Sequence, residues 1–567
     1  MRAPALAIIL LGSASALDAS SRAAPHWTQA SDEAYRAHVD ARDASLRSGD
    51  VATWASIAPD WRCAEVSRVG KLSEGGKFVC QARALAARRQ RSSCVVYSFG
   101  VSGEVSFEVE LLTGGALGPP GARRCELLAF DPTVGADDVA PRALAAAGAR
   151  FFATGLFASS AAANPRWDRA TLAELMARHG HAHLDLLKVD IEGAEVAVFE
   201  EMCAAADAAR AADDDETARA AGVGALPFDQ LLIEVHHGVP QSLALVRCLE
   251  AHGFALFSRE ENLHGPCCNA ACPKSGIAHS ELAFVRTASV RRGWRGANAT
   301  LSAREQLVSD ADAAYAAATA KRAAWVASLG GWRGAIERYR WFRDLDVDKL
   351  PVGQRRCRGP YYLWDLFEPV GWCAAARRTR PGVGVSGGAL TVCSTPPRHH
   401  HQHGRAVNAS KDSSEGGCAL VVEGARDAEA VRADVARALG PCDAAAPHRT
   451  LVVDTTTDRA WDALVARACA TADRALARDF DQAVLTLRVT PARGAEHVAH
   501  VIECAEESGF HIAHRELDTE YCTAHARGFP EATQPQIATF TLVSHAHRHR
   551  AHARGSGAFG SGGEALA

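Results

Sequence analysis

Two carboxylates two residues apart, Asp190 and Glu192, precede Gly193 and an apolar, helix-periodic stretch. Neither acid is needed for packing, and the pair suits three tasks: holding a cofactor amine, binding a metal, or acting as a base. Further along, Glu234, His236 and His237 end another apolar run. A histidine in that position, across from Asp190, is suited to general-base work. Gly100-Val-Ser-Gly103 follows the apolar run 95–99 and leads into Ser106-Phe-Glu108. Small residues there let backbone N–H groups come close to a ligand. The Gly-x-Gly-x-x-Gly spacing of a dinucleotide site is absent from this loop. Asp131 follows the run 126–130 and is placed to accept hydrogen bonds from ribose hydroxyls. Its other reading is a turn-forming Asp-Pro pair.

What these residues share is position: each follows a short apolar segment. Strands are expected at 95–99, 126–130, 184–189, 231–235, 255–258 and 281–285. Helices are expected at 169–179, 194–206 and 241–252. Strands alternating with helices imply an α/β fold with a mostly parallel sheet covered on both faces. Ligands in such a sheet bind outside the carboxyl ends of the strands, near the point where strand order reverses. All the residues above fall there.

The series Val-Tyr-Ser-Phe-Gly100, Ser-Phe-Glu108, Ala-Phe-Asp-Pro-Thr133, Leu-Lys-Val-Asp-Ile-Glu-Gly-Ala-Glu195 and Leu-Leu-Ile-Glu-Val-His236 resembles the methyltransferase-domain proteins of the eukaryotic methyltransferase-like group, relatives of FkbM-type methyltransferases. The lead-in Gly75-Gly76-Lys77 before Cys80 and the closing Ser280-Glu-Leu-Ala-Phe284 resemble the same group. The resemblance covers about residues 58–288, and the Asp-Ile-Glu-Gly-Ala-Glu block is its most specific piece. It implies a class I, Rossmann-like fold that binds S-adenosylmethionine. It implies that Gly100, Gly103 and Glu108 lie near the cofactor, that Asp131 takes the ribose and that Asp190 sits by the methionine moiety. Glu192, Glu234 and His236 would face the acceptor, with His236 as base. It also implies O-methylation of a hydroxyl on a small molecule or glycan.

The chain also repeats itself. Trp61, Cys63, Gly75-Gly76 and Cys80 find counterparts in Trp372, Cys373, Gly387-Gly388 and Cys393. Leu184–Asp190 matches Thr450–Asp454, and Phe228–Val235 matches Phe480–Leu487. Cys248, Gly253-Phe254 and Arg259-Glu260 match Cys504, Gly509-Phe510 and Arg515-Glu516 at identical spacing. The reading is two tandem α/β units, at 58–288 and 357–545, with a helical lead-in at 17–57 and a helical connector at 289–356. The second unit reads as degenerate: Asp454 persists, but Thr486 replaces Glu234 and Arg488 replaces His236. Val421-Val422-Glu423-Gly424 is read as replacing Ala129–Pro132, with no counterpart of Ser98–Gly100.

The remaining composition sets bounds. The chain has 567 residues, 48% hydrophobic and 23% charged, with a net charge of −4. These values exclude a wholly disordered chain and a polytopic membrane protein, and no basic excess marks a nucleic-acid binder. Residues 1–16 have the layout of a secretory signal peptide, so membrane association is expected only if that segment stays as an anchor. Seventeen cysteines and the sequons at Asn298 and Asn408 fit a secretory, disulfide-forming compartment. Cys63–Cys80 and Cys373–Cys393 are the pairings suggested by recurrence. The histidine run 399–403 reads as a low-complexity insert, and His264 with Cys267, Cys268 and Cys272 lacks zinc spacing, so no metal site is expected. Residues 546–567 read as a disordered tail. Two other functions compete: a tandem binding module without catalysis, and a nicotinamide-dependent oxidoreductase, disfavoured by the missing glycine motif after the strand at 95–99.

Overall fold

The computed structural model describes residues 26–50, 52, 56–59, 61–63, 65–72, 75–82, 94–114, 125–135, 137–161, 166–212, 226–262, 279–290, 301–335, 375–378, 391–394, 420–423, 450–454, 480–489, 495–517 and 536–544. The signal segment, both sequons, the histidine run, His264, Cys267, Cys268, Cys272, Cys373 and the tail lie outside the described residues.

Helix α1 (His26–Arg47) comes first, followed by an antiparallel hairpin of β1 (Val66–Val69) and β2 (Lys77–Cys80). The chain then alternates: β3 (Val95–Phe99), α2 (Ser106–Thr113), β4 (Glu126–Phe130), α3 (Val139–Ala147) and β5 (Arg150–Phe152). A short parallel pair, β6 (Thr154–Leu156) and β7 (Asp168–Ala170), precedes α4 (Leu172–His179). Next come β8 (Leu184–Val189), α5 (Glu195–Ala212), β9 (Phe228–Val235), α6 (Val239–Ala251), β10 (Phe254–Asn262) and β11 (His279–Arg286). The expected helix at 169–179 is shorter than the sequence suggests. Residues 168–170 pair as a strand, and Thr171 with Glu174 forms a capping box that starts the helix at Leu172.

Seven of these strands form one sheet in the order β10-β11-β9-β8-β3-β4-β5. The five from β5 to β9 run parallel, and β11 is antiparallel to both its neighbours. Strand order reverses between β3 and β8, and that gap is the switch point. β3, β8 and β9 lie at the centre, and all of β9 is buried. Their near-continuous apolar runs follow from being covered on both faces. Phe99 and Phe130 stack at 4.7 Å in the core, and Phe130 and Phe152 at 5.3 Å. Disulfides join Cys63 to Cys80, Cys94 to Cys125 and Cys203 to Cys248.

The second half begins with α7 (Leu301–Ser328), then a hairpin of β12 (Ala375–Arg378) and β13 (Thr391–Ser394). β14 (Leu420–Glu423), β15 (Thr450–Asp454), β16 (Gln482–Val489), α8 (Ala495–Glu507), β17 (Phe510–Leu517) and β18 (Gln536–Ser544) follow. Its sheet has the order β14-β15-β16-β18-β17, with the same strand directions as β3-β8-β9-β11-β10. A bulge at Leu256/Ser258 between β10 and β11 recurs at Ile512/His514 between β17 and β18. Val66, three residues after Cys63, pairs with Cys80; Ala376, three residues after Cys373, pairs with Cys393.

Two sequence expectations change here. β14 pairs directly with β15, as β3 pairs with β8, so it holds the place of β3 rather than that of β4. The register puts Glu423 at the position of Phe99. The supposed connector, α7, also docks as α1 does. Tyr35 on α1 donates to Glu250 at 2.9 Å and accepts from Leu256 N at 3.1 Å, while Arg42 grips Glu250 through two bonds of 2.9 and 2.8 Å. Tyr315 on α7 donates to Glu506 and accepts from Ile512 N at 3.0 Å, and Arg322 pairs with Glu506. The Tyr-to-Arg spacing of seven residues puts both on one helix face in each case.

Candidate active site

The turn after β3 is where three loops meet. Gly100 has φ 72°, and a Cβ there would lie 1.5 Å from the Asp190 carbonyl oxygen. Its N–H donates to Phe130 O at 3.0 Å, and Asp190 N donates to Phe99 O at 3.2 Å. Only glycine lets the β3 turn pass this close to the β8 loop. Gly103, by contrast, has open space where a Cβ would go.

Asp131 ties the turn to the loop after β4. Its Oδ2 accepts from Ser102 N at 2.8 Å, and its Oδ1 accepts from Thr133 N and Oγ1 at 2.8 and 2.6 Å. Both oxygens therefore hold protein groups already, and the residue is only 4% exposed. A ribose hydroxyl would have to use the carboxylate's remaining acceptor capacity.

Glu108 departs from the sequence reading. It has no exposed surface, so it does not reach a cofactor directly. Its Oε1 accepts from Ser98 Oγ at 2.5 Å and lies 3.4 Å from Lys188 Nζ, which donates to Gly100 O at 3.1 Å. Glu108 and Lys188 brace the glycine turn from inside the sheet. The sequence shows an acid near the turn but not the direction in which α2 points it.

The Asp-Ile-Glu-Gly-Ala-Glu block folds into a tight loop between β8 and α5. Glu192 takes φ 54° and Gly193 φ 102°. A non-glycine residue in the left-handed region is uncommon and collects at functional loops. Glu195, fully buried, holds the loop: it accepts from Ile191 N at 3.1 Å and from Gly193 N at 3.1 and 3.0 Å. A ring nitrogen of His237 lies 2.9 Å from Gly193 O.

His236 stands over this loop, one residue beyond β9. Its Nδ1 is 2.8 Å from Glu195 Oε1. Its Nε2 lies 3.5 Å from Glu192 Oε2, 3.7 Å from Glu234 Oε1 and 3.9 Å from Asp190 Oδ1. Behind them Lys77 from β2 contacts Glu281 from β11 and lies 3.7 Å from Glu234 Oε2. Burial opposes a charge on His236, but the Glu195 hydrogen bond and the nearby Glu195, Glu234 and Asp190 carboxylates outweigh it and carry the imidazole up to about 9. Burial would raise Glu195, yet its bonds from His236 and Gly193 hold it below the usual carboxylate range. Lys77 is raised despite burial because Glu281, Asp190 and Glu234 surround it. Glu281 is pushed above the carboxylate range by burial and by Glu234 and Asp190, against the pull of Lys77.

The structure thus brings Asp190, Glu192, Glu234 and His236 together beside Gly100, and it adds Lys77, Glu195 and Glu281. Glu281 pairs directly with Glu234 across β9 and β11. That alignment depends on an antiparallel register far apart in sequence, so no local signal exposes it. Glu195 was in view as part of the motif, but its inward direction was not. In the second sheet the register positions of Glu234 and Glu281 hold Thr486 and Thr539, whose hydroxyls meet at 3.1 Å.

A loop of this kind, at the switch point of a doubly wound sheet, invites comparison with known families. Residues 23–272 are similar to a methyltransferase domain. They match the family model Methyltransf_22, described as a methyltransferase domain. The match takes in α1 through β10 of the methyltransferase-like unit, including every residue of the cluster except Glu281. A comparison with curated proteins found no match.

Proposed function

We propose that the first unit is an S-adenosylmethionine-dependent methyltransferase acting on a hydroxyl of a small molecule or glycan. The observation that carries this reading is the cluster at the strand ends. Five carboxylates (Asp190, Glu192, Glu195, Glu234 and Glu281) gather around Lys77 and His236. An excess of negative charge beside a close-packed glycine turn fits a cofactor with a sulfonium and an ammonium group. When bound, that cofactor supplies an electrophilic methyl group. Gly100 and its neighbours would hold it, braced by Asp131, Glu108 and Lys188, and Asp190 would face its methionine end. Methyl transfer needs mainly proximity and orientation. Glu192, 86% exposed, faces the acceptor side. His236 takes a proton from an acceptor only after Nε2 has lost its own, since its neighbours hold it protonated at neutral pH.

The second half is a degenerate repeat of the first, with a structural or docking role. The shared strand order, the shared bulge and the matched Tyr-Arg grip of α1 and α7 on Glu250 and Glu506 support it. Arg488 and Thr486 at the positions of His236 and Glu234 support the loss of chemistry. The chain works in the secretory pathway, a reading supported by three disulfides among the described residues.

The test is transfer of a labelled methyl group from S-adenosylmethionine to a panel of mono- and oligosaccharides by the full-length chain. Label in a sugar product, lost in Asp190→Asn, is the expected result. A folded chain that binds no S-adenosylmethionine contradicts the reading.

A further inference from the structure

His236 is set as metal-ligating imidazoles are set. One nitrogen, Nδ1, is bonded at 2.8 Å to the fully buried Glu195. A carboxylate behind the ring in this way fixes the tautomer and aims the other nitrogen. Here that nitrogen is Nε2, and it is aimed at Glu192, Glu234 and Asp190 at 3.5, 3.7 and 3.9 Å. These separations exceed the usual hydrogen bond. They match ligand atoms that share one ion, since bonds of about 2.1 Å in a tetrahedral set put neighbours about 3.4 Å apart. The ligand atoms of Asp190, Glu234 and His236 all lie within 4.8 Å of one another. All three stand at or next to the ends of β8 and β9, on rigid central strands. Glu281 Oε2, at the back of the cluster, is buried with no hydrogen-bond partner among the described residues.

We propose that Asp190, Glu234 and His236 bind a divalent cation, with the exposed Glu192 beside it. One imidazole nitrogen with carboxylate oxygens and no thiolate suits Mn²⁺ or Zn²⁺. The ion takes the place of the proton on Nε2, so His236 becomes a ligand rather than a base. A hydroxyl that reaches the ion loses its proton more readily, and Glu192 is the exposed carboxylate placed to receive it. That last role rests on the methyl-transfer reading; binding of the ion does not. Among the described residues, the other grouping of metal-type side chains, Cys203, Cys248 and His252, has its two thiols in a disulfide. The second unit has Thr486 and Arg488 at the positions of Glu234 and His236, so one ion per chain is expected.

The test uses full-length protein stripped with a chelator and titrated with Mn²⁺, following the spin resonance of unbound Mn²⁺. The expected result is one Mn²⁺ per chain, displaced by Zn²⁺, with nitrogen modulation in the spin-echo spectrum from a directly bound imidazole. Binding should weaken at least ten-fold in His236→Gln and in Asp190→Asn. It should weaken about 10–100-fold in Glu195→Gln and stay unchanged in His252→Gln. The spin-echo measurement on the unaltered chain does not depend on any variant folding. Absence of saturable Mn²⁺ binding overturns the proposal, and a parallel titration with S-adenosylmethionine shows whether the methyl-transfer reading falls with it. Binding without nitrogen modulation, or binding untouched by His236→Gln, overturns it equally.

Discussion

Glu195 serves several donors at once: Ile191 N, Gly193 N and the His236 ring. Glu108 does comparable work under Gly100 through Ser98 and Lys188. Neither touches solvent, so their effect on a ligand passes through the loops they hold. Removing Glu108 leaves Lys188 buried against the sheet without its counter-charge. Glu108→Ala is therefore expected to lower the unfolding free energy by about 3 kcal/mol or more, measured by urea titration. The two glycines of the turn separate cleanly by the same measurement. Gly100→Ala forces a Cβ onto the Asp190 carbonyl and should cost about 1–3 kcal/mol or more. Gly103→Ala, with open space around its Cβ, should be near neutral. Equal effects would show that the turn is not built this way. Acid sensitivity also has a residue-level source. Burial, helped by Arg210, lowers the His252 pKa from its ordinary value. A histidine lowered in the fold favours the neutral form, so stability is full above about 6.5 and falls as pH drops through that value. His236 and Glu281, both raised in the fold, gain stability over the same window, so the His252 contribution is read as a difference: between pH 7.5 and 5.5, urea unfolding should shift further toward stability at pH 5.5 in His252→Gln than in the unaltered chain.

At the scale of elements, the sheet was legible because β3, β4, β8 and β9 are short apolar runs followed by glycine, an acid or histidine. The alternation with helices fixed their parallel direction. Less was legible wherever partners are far apart in sequence. The cluster's back wall needs β2 to bring Lys77 and β11 to bring Glu281, and neither alignment has a local signature. The placement of β14 erred for a related reason: apolar residues followed by an acid read the same at either strand position, and only the pairing with β15 decides. Helix α7 read as a connector because its docking residues, Tyr315 and Arg322, gain meaning only against Glu506. Tyr315→Phe removes the donor to Glu506 and the acceptor for Ile512 N. It should cost about 1–3 kcal/mol and speed hydrogen exchange at the Ile512 amide. Tyr35→Phe should do the same at Leu256. Exchange unchanged at both amides would mean the helices do not hold these strands.

For the whole molecule, the two halves keep the same strand order but differ in charge at the strand ends. The first places Glu234, Glu281 and Lys77 against one another; the second places Thr486 against Thr539. The halves also touch: Arg62 lies 3.2 Å from His514 Nδ1, and Arg515 lies 3.7 Å from Glu260 Oε1. On the proposed reading, the second unit supports the first rather than reacting. The most direct test of this division is calorimetric titration of the full-length chain with S-adenosylmethionine, alongside Asp190→Asn and Asp454→Asn. One site per chain, lost in Asp190→Asn and kept in Asp454→Asn, is the expected outcome. No binding by the folded chain, or a site that survives Asp190→Asn and disappears in Asp454→Asn, would contradict it.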